Sequence, residues 1–473
     1  MRKINRKKTA TLVLAVALVV FIAFSVFGPD IFRVKYDARH NFASVASTSD
    51  LATTTTVLSD VSENDPAFSL AGHVVTPVPL KAIYMTSWVA GTPSMRDRVI
   101  KLIDTTEANA VVIDIKDYTG MVAFKTGDAE LDASPCIENR VRDIGDLIKR
   151  LHEKNIYVIG RVAVFQDPCF AKHNPEVAVR KKSDGTVWKD DKGLAWVDMA
   201  SEQAWQHTAK IARASYALGF DEINFDYVRF PSDGNMKDIA FISGDTPKPQ
   251  VFKSFFEFLD RELRGGKGTY SVVQTAAGTS SSAAATSTKM SSGMTVTRAA
   301  NMNARATDPA FDEYYKLISS ADPESVQKRT ALSESGRGVG RMVISADLFG
   351  MTTTNTDDLG IGQILDYALP FVDYVYPMVY PSHYPANWNG FKNPAAHPYE
   401  VIKISMQGAI NRAKGLGLDQ QKLRPWLQDF DMGATYTADM IRKQIQATYD
   451  IGLQGWLMWD ASNKYTPGGL LAN

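Results

Sequence analysis

The chain has 473 residues, enough for one large domain with appendages or for two or three ordinary ones. Hydrophobic residues make up 45%, ample for a core, while 52 Lys plus Arg balance 52 Asp plus Glu. That neutral balance lacks the basic footprint of a nucleic-acid-binding protein, and no nucleic-acid partner is expected.

The chain opens with a basic stub, residues 1–8, in which Arg2, Lys3, Arg6, Lys7 and Lys8 precede an uncharged apolar run over 9–28. The run is long enough to span a bilayer, and its basic flank assigns the N-terminus to the cytoplasm. A cleaved signal peptide is the competing reading, but a small-x-small site is missing where Phe27-Gly28-Pro29 ends the run. Either reading places the rest of the chain outside the cytoplasm. Residues 29–80, rich in Ser and Thr, read as a flexible stalk. The two cysteines, Cys136 and Cys169, suit a bridge in an oxidising compartment, with two buried free thiols as the alternative. They are too few for a metal centre, and no metal is expected.

From Lys81 onward, short apolar runs alternate with helical patterns. "KAIYMTSWVAG" reads as a first strand, after which Thr92 and Pro93 open a helix as cap and first residue. "AVVIDIKD" is the second strand, and Val141, Ile144, Leu147, Ile148 and Leu151 mark a helix by their spacing. "IYVIGRVAVF" is the third strand; Ser201 caps a helix that runs to Gly219, and "DEINFDYV" is the fourth strand. Phe252, Phe255, Leu259 and Leu263 form a further amphipathic helix closed by Gly265 and Gly266. A Ser/Ala/Thr-rich insertion, about 270–338, precedes "RMVISADLFG", "YVYPMVY", "RPWLQDF" and "LQGWLMWD", four more strands. Eight strands with helical connections over 81–465, followed by a tail at 466–473, predict a (β/α)8 TIM barrel. A doubly wound open sheet is the alternative, but "VAGTPS" after the first strand lacks the Gly-rich dinucleotide turn, and no cofactor is expected.

Strand parity points to the site. In the fourth strand Glu222, Asn224 and Asp226 share one face and Ile223 and Phe225 the other. The same alternation groups Tyr84, Thr86 and Trp88; Asp114 with Lys116; Arg341, Ser345 and Asp347; Tyr376, Met378 and Tyr380; and Trp456, Met458 and Asp460. In a barrel one such face lines the lumen, whose C-terminal mouth carries the chemistry. Asp226 and Asp347, last in their rows, are therefore the catalytic candidates. The competing reading is structural: buried ion pairs with Lys116, Arg161 and Arg341, favoured for deep positions such as Glu222 and Arg341.

Other chemistries fit less well. The seven histidines form no HxH or HExxH pattern, no GxSxG elbow is present, and a Schiff-base role for Lys116 competes with ion pairing to Asp114 or Asp117. Paired carboxylates with aromatics suit glycoside hydrolysis. Trp88, Tyr380, Trp456 and Trp459 offer faces for sugar rings, or simply pack the rim. His383 is a pocket candidate or an exposed loop histidine. Asp114 and Asp460 are supporting carboxylates, and Arg161 and Arg229 tune local pKa values.

Together, "FDEINFDYVRFP", "GRVAVFQDP", "GLAWVDMAS", "ISADLFG" and "YVYPMVYPSHY" resemble a bacterial glycoside-hydrolase-like domain family, formerly a domain of unknown function. The resemblance spans Lys81 to Tyr465 and implies a TIM-barrel glycosidase. By analogy with related barrels it implies Asp226 as nucleophile or base, and Asp347 as acid where many relatives carry a glutamate. The insertion between strands four and five departs from the family pattern and is expected on the bottom face. Cys136 and Cys169 fall in neighbouring loops at the mouth, where a disulfide would brace the rim. The expectation is a membrane-anchored, extracytoplasmic glycosidase acting on a polysaccharide or cell-envelope glycan. A non-catalytic carbohydrate-binding protein on a degenerate barrel, or a lyase or deacetylase acting on the same glycans, are the alternatives.

Overall fold

The computed structural model describes residues 72–265 and 341–473. The apolar N-terminal run and the insertion at about 270–338 lie outside the described residues, within which no helix is long and apolar enough to cross a membrane.

Eight parallel strands close into a barrel. In chain order they are β1 (Lys81–Met85), β2 (Ala110–Lys116), β3 (Tyr157–Ala163), β4 (Glu222–Asp226), β5 (Val343–Phe349), β6 (Tyr374–Met378), β7 (Trp426–Gln428) and β8 (Trp456–Trp459). Each pairs with the next, and β8 pairs with β1 through Lys81↔Trp456, Ala82↔Leu457 and Ile83↔Met458. Between them run α1 (Pro93–Asp104), α2 (Ile144–Glu153), α3 (Glu202–Ala217), α4 (Lys248–Arg264), the short α5 (Leu365–Ala368), α6 (Pro398–Gly415) and α7 (Ala438–Asp450). Their starts follow local chemistry. Ser201 Oγ accepts from Ala204 N at the head of α3, Thr437 Oγ1 accepts from Met440 N at the head of α7, and prolines open α1 and α6. Gly265 ends α4 at φ 67°, a left-handed cap that a side chain would strain.

Two hydrophobic layers result. The outer one packs Ile113, Ile115, Val158, Ile223, Phe225, Ile344 and Leu348 against the helices. The inner one fills the lumen with Ala82, Tyr84, Val112, Tyr157, Ile159, Tyr376, Trp426 and Leu457. At the lower end Glu222 accepts hydrogen bonds from Tyr376 and Tyr157 and faces Arg424 at 3.8 Å. Glu222 is thus structural, as expected, but its cation is Arg424 rather than Lys116, Arg161 or Arg341.

A strap, residues 72–80, seals that end. Val74 N donates to Asp221 Oδ1 at 2.6 Å, Thr76 Oγ1 lies 3.0 Å from the Tyr157 hydroxyl, and His73 stacks on Tyr216. At the other terminus Leu470 is buried and Leu471 exchanges bonds with Glu107. The packed body thus extends beyond 81–465 on both sides.

Besides Trp88, which lies off β1 in the turn Ser87–Ala90, three parity expectations fail. The β2–β3 register shifts between Asp114 and Lys116, so Lys116 pairs with outward-facing Val162 and bonds Asp167 Oδ2 at 2.6 Å, away from the lumen. In β8 the register to Ala82 turns Leu457 and Trp459 inward, so Trp456 and Met458 pack outward. Arg341 is exposed ahead of β5, 3.5 Å from Asp373, and reaches no lumen carboxylate.

Candidate active site at the barrel mouth

Arg161, on β3, is the hub of the mouth. Its Nη1 donates to Asp114 Oδ1 at 2.7 Å, its Nε to Asp226 Oδ2 at 3.0 Å, and its Nη2 to the same Asp226 oxygen. Asp347 Oδ2 lies 3.7 Å from Nε. Register explains the convergence: Asp114 is opposite Arg161, Arg161 opposite Asn224, and Asn224 opposite Ser345, so Asp226 and Asp347 rise together one step higher.

The three acids are held differently. Asp114 accepts the Tyr84 hydroxyl at 2.6 Å as well as Arg161, and burial pushes its carboxyl above the usual range. Asp347, 0% exposed, has two donors on Oδ1, Asn224 Nδ2 at 3.0 Å and Trp426 Nε1 at 2.8 Å, and none on Oδ2. Burial, and then the negative charge of Asp226, hold the Asp347 carboxyl well above the ordinary range. Its neutral form therefore carries the proton on Oδ2, the oxygen without a protein donor. Asp226 ends β4, and the next residue, Tyr227, adopts φ 53°, a left-handed conformation unusual for an aromatic residue. That turn lets the Tyr227 amide donate back to Asp226 Oδ1.

Aromatic rings wall this cluster. Trp459 stacks on Tyr84 with centroids 3.8 Å apart, Trp426 meets both edge-on, and the Arg161 guanidinium lies 5.0 Å from the Trp459 ring. Tyr380 stands close enough for the charges of Asp347 and Asp226, after burial, to push its phenol up. His383 sits beyond it on the rim, edge-on to Tyr380 and open to solvent.

The other expected site residues are more peripheral. Arg229 occupies the loop after β4, with its guanidinium 4.8 Å from the Trp196 ring and bonds to Phe230 O and Ser232 Oγ. Asp460 holds the turn after β8 by accepting from Ser462 N and Oγ. Trp88 is not on a strand: Thr86 Oγ1 caps the single helical turn Ser87–Ala90, which carries Trp88 out to the rim, 60% exposed. Cys136 and Cys169 are joined in a disulfide between the loops after β2 and β3.

Sequence reasoning missed several partners. Trp426 lay in a predicted strand without an assigned face, and only the β7–β8 register turns it to Asp347. Asp429, pushed up to about 6 by burial, accepts from Thr466 N and Oγ1 and pins the C-terminal segment over the mouth. His173 lies 3.8 and 3.7 Å from the two disulfide sulfurs, and its i,i+4 spacing from Cys169 was a legible signal.

A closed parallel barrel with acids and aromatic rings grouped at its C-terminal mouth is the architecture of TIM-barrel glycoside hydrolases. The sequence agrees: the chain belongs to the family described as "Putative glycosyl hydrolase domain", which it matches over residues 82–291 and 325–465. Among solved structures it is similar to a hypothetical protein from Ruminiclostridium thermocellum at 32% identity and a TM-score of 0.36, covering 39% of this chain and 93% of that one. The glycoside hydrolase domain of PgaB (BpsB) from Bordetella bronchiseptica is 14% identical at a TM-score of 0.43, covering 81% of this chain and 95% of that one. The α-galactosidase TtGalA from Thermus thermophilus is 12% identical at a TM-score of 0.42, covering 84% and 60% respectively. No curated protein matches the sequence.

Proposed function

We propose that the protein cleaves glycosidic bonds in a polysaccharide, with Asp347 as the acid and Asp226 as the nucleophile or water-activating base. The supporting observation is the asymmetry between these neighbours. Asp347 is buried with its carboxyl pushed well above the ordinary range and no donor on Oδ2, while Asp226 accepts two N–H bonds from Arg161. The donor-free oxygen of Asp347 suits the acid, and the Arg161-paired carboxyl of Asp226 suits the nucleophile or base. Asp347 Oδ2 passes its proton to the leaving glycosidic oxygen. Asp226 then either attacks the anomeric carbon or removes a proton from the water that does. Asp114, fixed by Tyr84 and Arg161, orients the guanidinium. Trp459, the half-buried ring of this group, supplies a face for the sugar ring, backed by buried Tyr84.

We further place the barrel outside the cytoplasm on a single-pass anchor over 9–28, with a cell-envelope glycan as substrate. The basic flank of the apolar run supports this, as does the Cys136–Cys169 disulfide, a bond that persists in oxidising compartments. The function is tested by incubating wild type and Asp226→Asn with bacterial envelope polysaccharides and exopolysaccharides and counting new reducing ends. Release by wild type alone is expected. Equal release by both would remove Asp226 from the chemistry, and silence from both with retained glycan binding would make the barrel a binding protein. Alkaline carbonate extraction of membranes tests the anchor, and release of the chain into the soluble fraction would overturn it.

A further inference from the structure

Two exposed large hydrophobic side chains flank the mouth on adjacent loops: Trp88, 60% exposed, after β1 and Tyr118, 52% exposed, after β2. One exposed aromatic is unremarkable on a protein surface. These two differ because a single buried guanidinium holds both loops. The Arg140 side chain is 5% exposed, and its guanidinium carbon lies 4.4 Å from the centroid of the Trp88 ring. Its Nη1 donates to Ser87 Oγ at 3.0 Å and to Asp117 Oδ2, and its Nη2 donates to Glu138 Oε2. Asp117 in turn accepts from Thr119 N at 2.9 Å and from the Thr119 hydroxyl, fixing the turn that presents Tyr118.

The Arg140 backbone is tied in as well. A Cβ on Gly91, the residue closing the Trp88 turn, would come within 2.5 Å of Arg140 O, so only glycine permits this approach. One indole face is thus occupied by a paired cation while the ring remains largely open to solvent. A rigid aromatic surface costs little ordering entropy when a ligand stacks on it.

We propose that Trp88 and Tyr118 form an outer carbohydrate subsite that stacks a neutral pyranose ring of the glycan beyond the bond cleaved at Asp226. This rests on the glycosidase reading and names where its polymer runs. The platform is carried on the same segments as the catalytic cluster: Trp88 follows Tyr84 by one short turn, and Tyr118 follows Asp114 in the loop after β2. The Trp88 ring is backed by Arg140 with its partners Asp117 and Glu138, polar groups that suit a hydroxyl-bearing ring better than the apolar face of a protein.

The test uses the full-length protein carrying Asp226→Asn, so that binding is read without turnover, and titrates cellohexaose, chitohexaose and maltohexaose against the matching disaccharides by calorimetry. At least one hexasaccharide is expected to bind more tightly than its disaccharide. Trp88→Ala is expected to cut that advantage about 3- to 10-fold, Tyr118→Ala to reduce it, and Trp88→Phe to restore most of it. An advantage that survives both alanine variants overturns the subsite, as does the absence of a length advantage for all three sugars. The two readings fail separately. Trp88-dependent binding with no reducing ends released by the wild type keeps the subsite and removes the glycosidase. Release of reducing ends without any length advantage does the reverse.

Discussion

At the scale of the residue, Asp347 is a carboxyl with two donors on one oxygen and none on the other, buried beside a second acid. Its folded-state pKa is raised above the ordinary 3.8 of an unfolded aspartate. Over the interval between those two values the folded state binds more protons than the unfolded state, so stability falls as pH rises through it. Asparagine keeps the acceptor oxygen for Asn224 and Trp426 and has no charge to bury. Asp347→Asn is therefore expected to raise the melting temperature at neutral pH, with the gain vanishing below about pH 4. Turnover should fall about 10²- to 10⁴-fold, the usual contribution of a general acid. Calorimetric melts across pH, together with reducing-end rates, check both halves. In the wild type, activity should decline on the alkaline side as Asp347 loses its proton. Arg161 has the opposite character. Arg161→Leu leaves Asp114 and Asp226 buried without their counter-charge, a loss of about 3–5 kcal/mol at neutral pH that acid should partly recover, measurable by urea unfolding.

At the scale of the element, the same carboxylates show what could be read in advance. In β4 polar and apolar residues alternate cleanly, so Glu222, Asn224 and Asp226 were assigned correctly to the lumen. Asp347 followed for the same reason. Alternation gave no warning at β8, where Trp456, Leu457, Met458 and Trp459 are all apolar and only the register to Ala82 and Ile83 decides the faces. Nor could it foresee the irregularity after Asp114, which turns Lys116 from a lumen candidate into the partner of Asp167. Local pattern reports a face where one side meets water or charge; register and bulges are properties of the assembled sheet. The disulfide belongs to this scale too, since it ties the loop after β2 to the loop after β3 across a separation of 33 residues. Replacing both cysteines with serine is expected to cost about 2–4 kcal/mol, mainly by freeing the unfolded chain, and urea midpoints of the two forms measure it.

At the scale of the whole molecule, the barrel has two ends with different work. The acids sit where the strands finish, whereas the strap at 72–80 enters where they begin, against Asp221 and Tyr157. The flanks of the insertion share that lower end: Arg264 bonds Asp373 at 3.0 Å and Arg341 approaches the same acid at 3.5 Å. The strap is also part of the fold. It supplies Val74 to the lumen cluster, the Val74 amide to buried Asp221 and the Thr76 hydroxyl to Tyr157. A chain beginning at residue 81 loses all three and opens the lower lumen to water. It should be less stable than one beginning at residue 72 by at least about 2 kcal/mol, the scale of a hydrogen bond to a buried charge plus the lost packing. Its Asp226–Arg161–Asp347 cluster lies at the far end and should still turn over substrate below its lowered melting point. Comparing the two chains by thermal melts and reducing-end assays tests this division. Equal melting temperatures would make the strap a passive linker, and loss of activity in the still-folded shorter chain would mean that the lower end shapes the mouth.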